Sequence, residues 1–96
     1  MPTYLFVEIR SIEKPDLYSQ YVEKVAPLVR RFGGKYLVRG GSVTGSDVPQ
    51  RAILIAFDSR SDLEACFQSA DYRAIAPLRE QSTHSRALIL EGCPPE

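Results

Sequence analysis

The sequence predicts an α+β domain of βαββαβ type, a four-stranded antiparallel sheet with helices on one of its faces. Three observations predict it. The 96 residues suffice for one hydrophobic core and not for two. Strand-like runs begin at Tyr4, Lys35, Arg51 and Arg86, and two helical stripes with apolar residues at three- and four-residue steps interrupt them. The resulting order is the split βαβ or ferredoxin-like arrangement, in which right-handed crossovers set the first and third strands side by side in the middle.

The first strand is expected over Tyr4 to Ile9. Leu5, Val7 and Ile9 point one way and Tyr4, Phe6 and Glu8 the other, and both sets are largely apolar. Such a strand belongs at the centre of a sheet covered on both sides. The first helix spans Pro15 to Phe32. Pro15 suits the first turn, Asp16 the positive end of the helix dipole, and Gly33 and Gly34 the stop. Pro27 lies inside the stripe and is expected to bend the helix or break its last turns. The second strand runs from Lys35 to Thr44, interrupted at Gly40 and Gly41, where glycines signal a bulge or the close approach of another group. Gly45 to Gln50 is turn chemistry. Arg51 to Phe57 is a third strand, apolar on both faces and therefore central. The second helix covers Ser61 to Ala70, with Ser61 and Glu64 as a capping box. Asp71 caps a further short helix, Tyr72 to Ala76, which Pro77 bends or restarts. Arg86 to Glu91 is the last strand. One domain is expected over residues 1–92, with a C-terminal tail over 93–96, and the closing GCPPE, residues 92–96, is expected to fray.

Composition removes several function classes. At 44% hydrophobic and 25% charged the chain reads as an ordinary globular protein. Twelve basic residues balance twelve acidic ones, so there is no long-range pull on nucleic acid or on an anionic membrane. The two cysteines, Cys66 and Cys93, are too few for a disulfide scaffold and form no CxxC or Cys/His cluster, so both are expected as free thiols and no metal or other cofactor is expected. MPTYLFVEIR is no basic leader followed by an apolar segment, and the apolar runs are strand length, so a cytoplasmic location is expected. A phosphate-binding Gly-rich loop, HExxH, a Ser-centred nucleophile elbow and a paired-carboxylate motif are all missing.

With the helices on one face, the other face of the central strands carries Tyr4, Phe6 and one set drawn from Ile53, Leu54, Ile55, Ala56 and Phe57. Covering a few hundred Å2 of such surface contributes several kcal/mol at roughly 25 cal/mol per Å2. The expected partner is a second copy in a two-fold, face-to-face homodimer. The alternative is that the C-terminal segment folds under the sheet.

The helix DLYSQYVEKVAPLVRRFGG, the strand KYLVRGG, the AFDS turn and the segment SADYRAIAPLR give the chain a family resemblance. From Tyr4 to Gly92 it resembles the family numbered 1330 among domains of unknown function, within the dimeric α+β barrel superfamily. The resemblance implies a ferredoxin-like fold and a dimer with a cavity between sheet and helices. It selects no chemistry, since the wider superfamily includes cofactor-free monooxygenases, lactone isomerases, haem enzymes and binding proteins. Such sequences often carry Asp before the proline of the first helix, where this chain has Lys14.

A short set of polar residues remains. Arg39 alternates with Leu37 and precedes two glycines, so its guanidinium can take a carboxylate in two-pronged fashion with room for a ligand beside it. The plainer alternative is a salt bridge to Glu8 on the same sheet face, or a dimer contact. Glu8 is itself a ligand-site candidate among apolar neighbours. His84, the only histidine, lies just before the last strand and is a proton-transfer candidate. As a haem ligand it has no supporting residues, and as a surface residue it needs no function. Tyr18, Tyr21 and Tyr72 fall on inward helix faces, where their hydroxyls line a pocket or simply reach the core rim; Tyr21 is the second proton-transfer candidate. Arg79 points into the cavity mouth or pairs on the surface. Cys66 lies on an apolar stripe, where a thiol is ordinarily inert. Two functions fit: a cofactor-free enzyme or binding protein for a small aromatic or carboxylate-bearing molecule, and a non-catalytic dimerisation or stress-associated module.

Overall fold

A computed structural model describes residues 2–94. The elements are β1 (Thr3–Ile12), α1 (Pro15–Arg31), β2 (Lys35–Arg39), β3 (Arg51–Phe57), α2 (Arg60–Phe67), α3 (Ala70–Ser82) and β4 (Thr83–Glu91). All strand pairs are antiparallel, in the order β2-β3-β1-β4, so the first and third strands are central. Among the described residues no helix is long and apolar enough to cross a membrane.

Alternation in β1 sorts the two faces of the sheet. Leu5, Val7 and Ile9 are buried on the helix side. Their register partners on β3 are Ile55, Ile53 and Arg51, so Ile53, Ile55 and Phe57 form the inward set and Ala52, Leu54 and Ala56 the outward one. The core is completed by Val25, Leu28 and Val29 of α1, Leu63 and Cys66 of α2, and Ile75 of α3. The other face is free of helices. There Phe6 lies between Leu54 and Leu88, and Tyr4 between Ala56 and Leu90. Leu88 and Leu90 remain 41% and 44% exposed, and no C-terminal segment among the described residues folds beneath them.

Helix ends show how local chemistry sets the boundaries. α1 closes in a Schellman turn: Gly33, at φ +85°, donates its N–H to the Arg30 carbonyl, and Gly34 donates to that of Val29. Gly34 also abuts Phe57, since a Cβ there would meet the ring at 2.8 Å. At its start α1 has Lys14 and no side-chain cap.

Several boundaries differ from those expected. α2 is capped by Ser59, which accepts from the Asp62 N–H, and not by Ser61. Glu64, the expected partner in that box, instead pairs with Arg60 one turn back. α3 is one helix running through Pro77, capped by Ser69 and not by Asp71; Asp71 forms an ion pair with Arg31 of α1. α1 likewise continues through Pro27. Both prolines are exposed, and the residues four before them, Glu23 and Arg73, are exposed too, so water can take the carbonyls that lose a helical donor. β2 ends at Arg39, five residues short of the expected Thr44, because Gly40 and Gly41 take φ of +84° and +88°. β4 begins at Thr83, earlier than Arg86, so His84 lies inside the strand. Gly92 is tied rather than frayed, donating to the Pro2 carbonyl at 2.8 Å. Of the tail, Pro95 and Glu96 lie outside the described residues.

Candidate functional site

The helices do not close fully on the sheet. Between them lies a cavity of about 270 Å3. Its floor is the helix side of the sheet, with Leu5, Val7 and Ile9 of β1 flanked by β3 and by Ala87 and Ile89 of β4. Its roof comes from α1 and α3, its far wall from Leu63 and Phe67 of α2. Four tyrosines (Tyr18, Tyr21, Tyr36 and Tyr72) and three arginines (Arg39, Arg51 and Arg79) supply the polar groups, and the lining contains no Asp or Glu.

Arg39 reaches the cavity through an irregularity. Tyr36 pairs with Ile55 and Arg39 with Ile53, both inward partners, although three residues separate them and strict alternation would oppose them. The register shift between Tyr36 and Val38 leaves Leu37 as an extra residue and returns Arg39 to the helix side. Its guanidinium lies over the Tyr36 ring, 4.6 Å from the centroid. Arg51 alternates with the partly buried Ile53 and the buried Ile55 and Phe57, and so also faces inward. Its Nη2 donates to the Arg39 carbonyl at 3.1 Å, and its guanidinium lies 5.5 Å from the Tyr18 ring centroid. The Arg51 Nε is buried with no hydrogen-bond partner among the described residues. Gly40 makes the position available: a Cβ there would fall 2.3 Å from Arg51 Nη2.

A second polar group sits under the helices. The hydroxyls of Tyr21 and Tyr72 are 2.9 Å apart. Arg79 lies beside both phenols and donates from Nη1 to Ser85 Oγ at 2.9 Å, while the Thr83 hydroxyl donates to the Arg79 carbonyl and lies 3.0 Å from Ser85 Oγ. Tyr18 stacks on Tyr21, and Phe67 meets Tyr72 edge-on at 4.8 Å, fixing both rings.

The cavity therefore gathers Tyr18, Tyr21, Tyr72, Arg39 and Arg79, and leaves Glu8 and His84 outside. Glu8 is on the open face, where Arg86 donates to it from Nε at 2.9 Å; a pairing with Arg39 fails because the two project from opposite sides of the sheet. His84 is exposed on β4 opposite Ser11, its Nε2 2.9 Å from Glu13 Oε1. Arg51 and Tyr36 also line the cavity, although neither stands out in the sequence. Period-two alternation from Phe57 back to Arg51 was the available signal for the first; the bulge at Leu37 hides the second.

Burial raises the acidic groups around the cavity. The Tyr21 hydroxyl is held far above its ordinary value by burial and then by Tyr72. Tyr18 and Tyr36 are raised by burial, against the lowering pull of Arg51 and Arg39 respectively. Burial pushes the Cys66 thiol to about 11. In the unfolded chain these groups ionise at their ordinary values, 9.0 for the thiol and 10.0 for the phenols, while the folded chain keeps their protons. Their contribution to stability is complete at neutral pH and is lost as pH rises beyond those values. The urea midpoint is expected to hold steady from neutrality to about pH 8.5 and then to fall steadily. A midpoint that stays level to pH 11, a value well above both ordinary ones, contradicts this burial. Among the described residues no group of three or more His, Cys, Asp or Glu side chains is placed to hold a metal ion.

Fold and cavity together define a ferredoxin-like α+β protein whose sheet and helices enclose an aromatic, arginine-bearing pocket. The chain belongs to the family described as domain of unknown function DUF1330, whose profile matches residues 2–93. Among solved structures it is similar to a dimeric ferredoxin-like protein of unknown function from Jannaschia sp. CCS1, at 12% identity and a TM-score of 0.78, covering 96% of this chain and 100% of that one. It is also similar to a protein of unknown function from Rhodopseudomonas palustris (19% identity, TM-score 0.71, 98% and 84% covered). A third is an ethyl tert-butyl ether D (EthD) family protein from Bacillus halodurans C-125 (17% identity, TM-score 0.65, 97% and 100% covered). At these identities the likeness speaks for the fold alone. No curated protein matches the chain.

Proposed function

We propose that the protein is a homodimer, joined through its open sheet face, that holds a small aromatic carboxylate in the cavity of each subunit without a cofactor. The observation that carries this reading is the charge of the lining: Arg39, Arg51 and Arg79 face an otherwise apolar and phenolic space with no acidic side chain among them. A cationic pocket of this kind favours an anion, and its aromatic walls favour a flat apolar body. Arg39 and Arg51 are the anchor. The Tyr36 and Tyr18 rings lie beside these guanidinium groups, whose remaining N–H groups are left to meet a carboxylate. Tyr21, whose proton burial holds tightly, serves as a hydrogen-bond donor; a phenol so reluctant to ionise is a poor proton-transfer group near neutral pH. His84 has no place in this chemistry.

The test is a thermal-shift series with benzoate and its ring-substituted relatives. Wild type is expected to be stabilised in a concentration-dependent way, by roughly 2.7 kcal/mol when ligand reaches a hundred times its Kd. Arg51→Ala and Arg39→Ala are each expected to weaken binding by about tenfold or more, as loss of a charge-assisted hydrogen bond does. A wild-type protein indifferent to every acid, or variants that respond as wild type does, sinks the reading.

One observation favours a second reading, a non-catalytic dimerisation module. The Glu8–Arg86 ion pair lies on the open face, where it would be an interface element with no ligand role. That reading predicts no stabilisation by any acid and an unchanged dimer in the Arg51 variant.

A further inference from the structure

The cationic groups of the cavity are divided between opposite edges of the sheet. Arg51 reaches toward β2, where its Nη2 meets the Arg39 carbonyl and its guanidinium lies against Gly40. Arg79 reaches toward β4, where its Nη1 meets Ser85 Oγ. In the order β2-β3-β1-β4 these are the two edge strands, three strand spacings apart, or roughly 14 Å at about 4.8 Å each. Between them the floor is apolar: Ile53, Val7 and Ile9 lie on the two central strands. Neither pole has an internal counter-ion, since none of the three arginines makes an ion pair among the described residues. At the β4 pole the hydroxyls of Tyr21 and Tyr72 share one proton in their mutual hydrogen bond and add one free donor beside Arg79.

We infer that the ligand is an elongated aromatic dianion, or an aromatic acid with a second oxyanion at its far end. One carboxylate sits between Arg39 and Arg51. The other oxygen group sits on Arg79, Tyr21 and Tyr72, with the ring across the apolar floor. This deepens the proposed function and rests on it. A single carboxylate between Arg39 and Arg51 leaves Arg79 charged and half-buried, whereas a rigid molecule with opposed acids neutralises both poles. Burial keeps the Tyr21 proton in place at neutral pH, so this hydroxyl donates to the second group and does not repel it.

Calorimetric titration of the wild-type protein with matched pairs tests the inference. The pairs are terephthalate against benzoate, and a rigid two-ring dicarboxylate against its monocarboxylate. In at least one pair the dianion is expected to bind about tenfold tighter or more. Arg79→Met is expected to bring that ratio close to one, whereas Arg51→Met weakens both members. Because Arg79 also supports Ser85, Tyr72→Phe serves as a second variant that keeps the ring packed; it is expected to reduce the ratio in part. Monoanions that bind as tightly as their dianions, or a ratio that persists in both the Arg79 and Tyr72 variants, overturns the two-pole site and leaves the single anchor standing. If no member of either pair binds, the proposed function falls, and this inference falls with it.

Discussion

Aspartate in place of Phe6 is expected to leave the protein as folded single chains. Phe6 stands in the middle of the helix-free face, between Leu54 on one neighbouring strand and Leu88 on the other. In a face-to-face pair it is among the most deeply covered residues, and a carboxylate there must lose its water without a partner. That penalty is several kcal/mol per ion. At about 1.4 kcal/mol per tenfold, it weakens association by roughly three orders of magnitude. The fold survives, because Phe6 projects away from Leu5, Val7 and Ile9 and takes no part in the core beneath the helices. Sedimentation at micromolar concentration reads the outcome directly, with circular dichroism to confirm the fold. A variant that sediments as wild type does would remove this face as the interface.

Phe57→Ala is expected to cost the most stability of any single truncation, about 3–5 kcal/mol. Phe57 ends β3, is 1% exposed, meets Phe67 edge-on, and lies against Gly34 just beyond α1. Three elements converge on one ring, so little of the cavity left behind can collapse. Domains of this size have roughly 5–15 kcal/mol in total, so the variant would sit near its folding threshold at 37 °C. Chemical denaturation of wild type and variant measures it, and a loss below about 1 kcal/mol would mean that the site repacks freely.

The element order, the central strands and the two faces of β1 were legible because strand alternation and helical spacing are local signals, and this chain obeys both. Boundaries were less so. Ser59, Ser61 and Ser69 are all plausible caps by composition, and only the backbone path decides between them. The site was legible in part for the same reason. Tyr18, Tyr21 and Tyr72 follow from the helical stripes, which fix their faces. Arg39 was marked by its glycines, but its face depends on the extra residue at Leu37. Glu8 was legible as lying opposite Leu5 and Val7; its pairing with Arg86 depends on the β1–β4 register, which joins residues 78 apart in sequence. Gly40 was read as room for a ligand, and the group that fills that room is the side chain of Arg51, eleven positions later.

The last strand carries a further consequence. β4 is an edge of the sheet, and its stretch Ala87-Leu88-Ile89-Leu90 is exposed to both sides. Short apolar β-formers along an unpaired edge are a template on which foreign strands nucleate fibrils. Arg86 and Glu91 bracket the stretch as gatekeepers of opposite sign. Exchanging either for an uncharged residue would therefore be expected to shorten the lag before turbidity appears in concentrated samples, well before any change in melting.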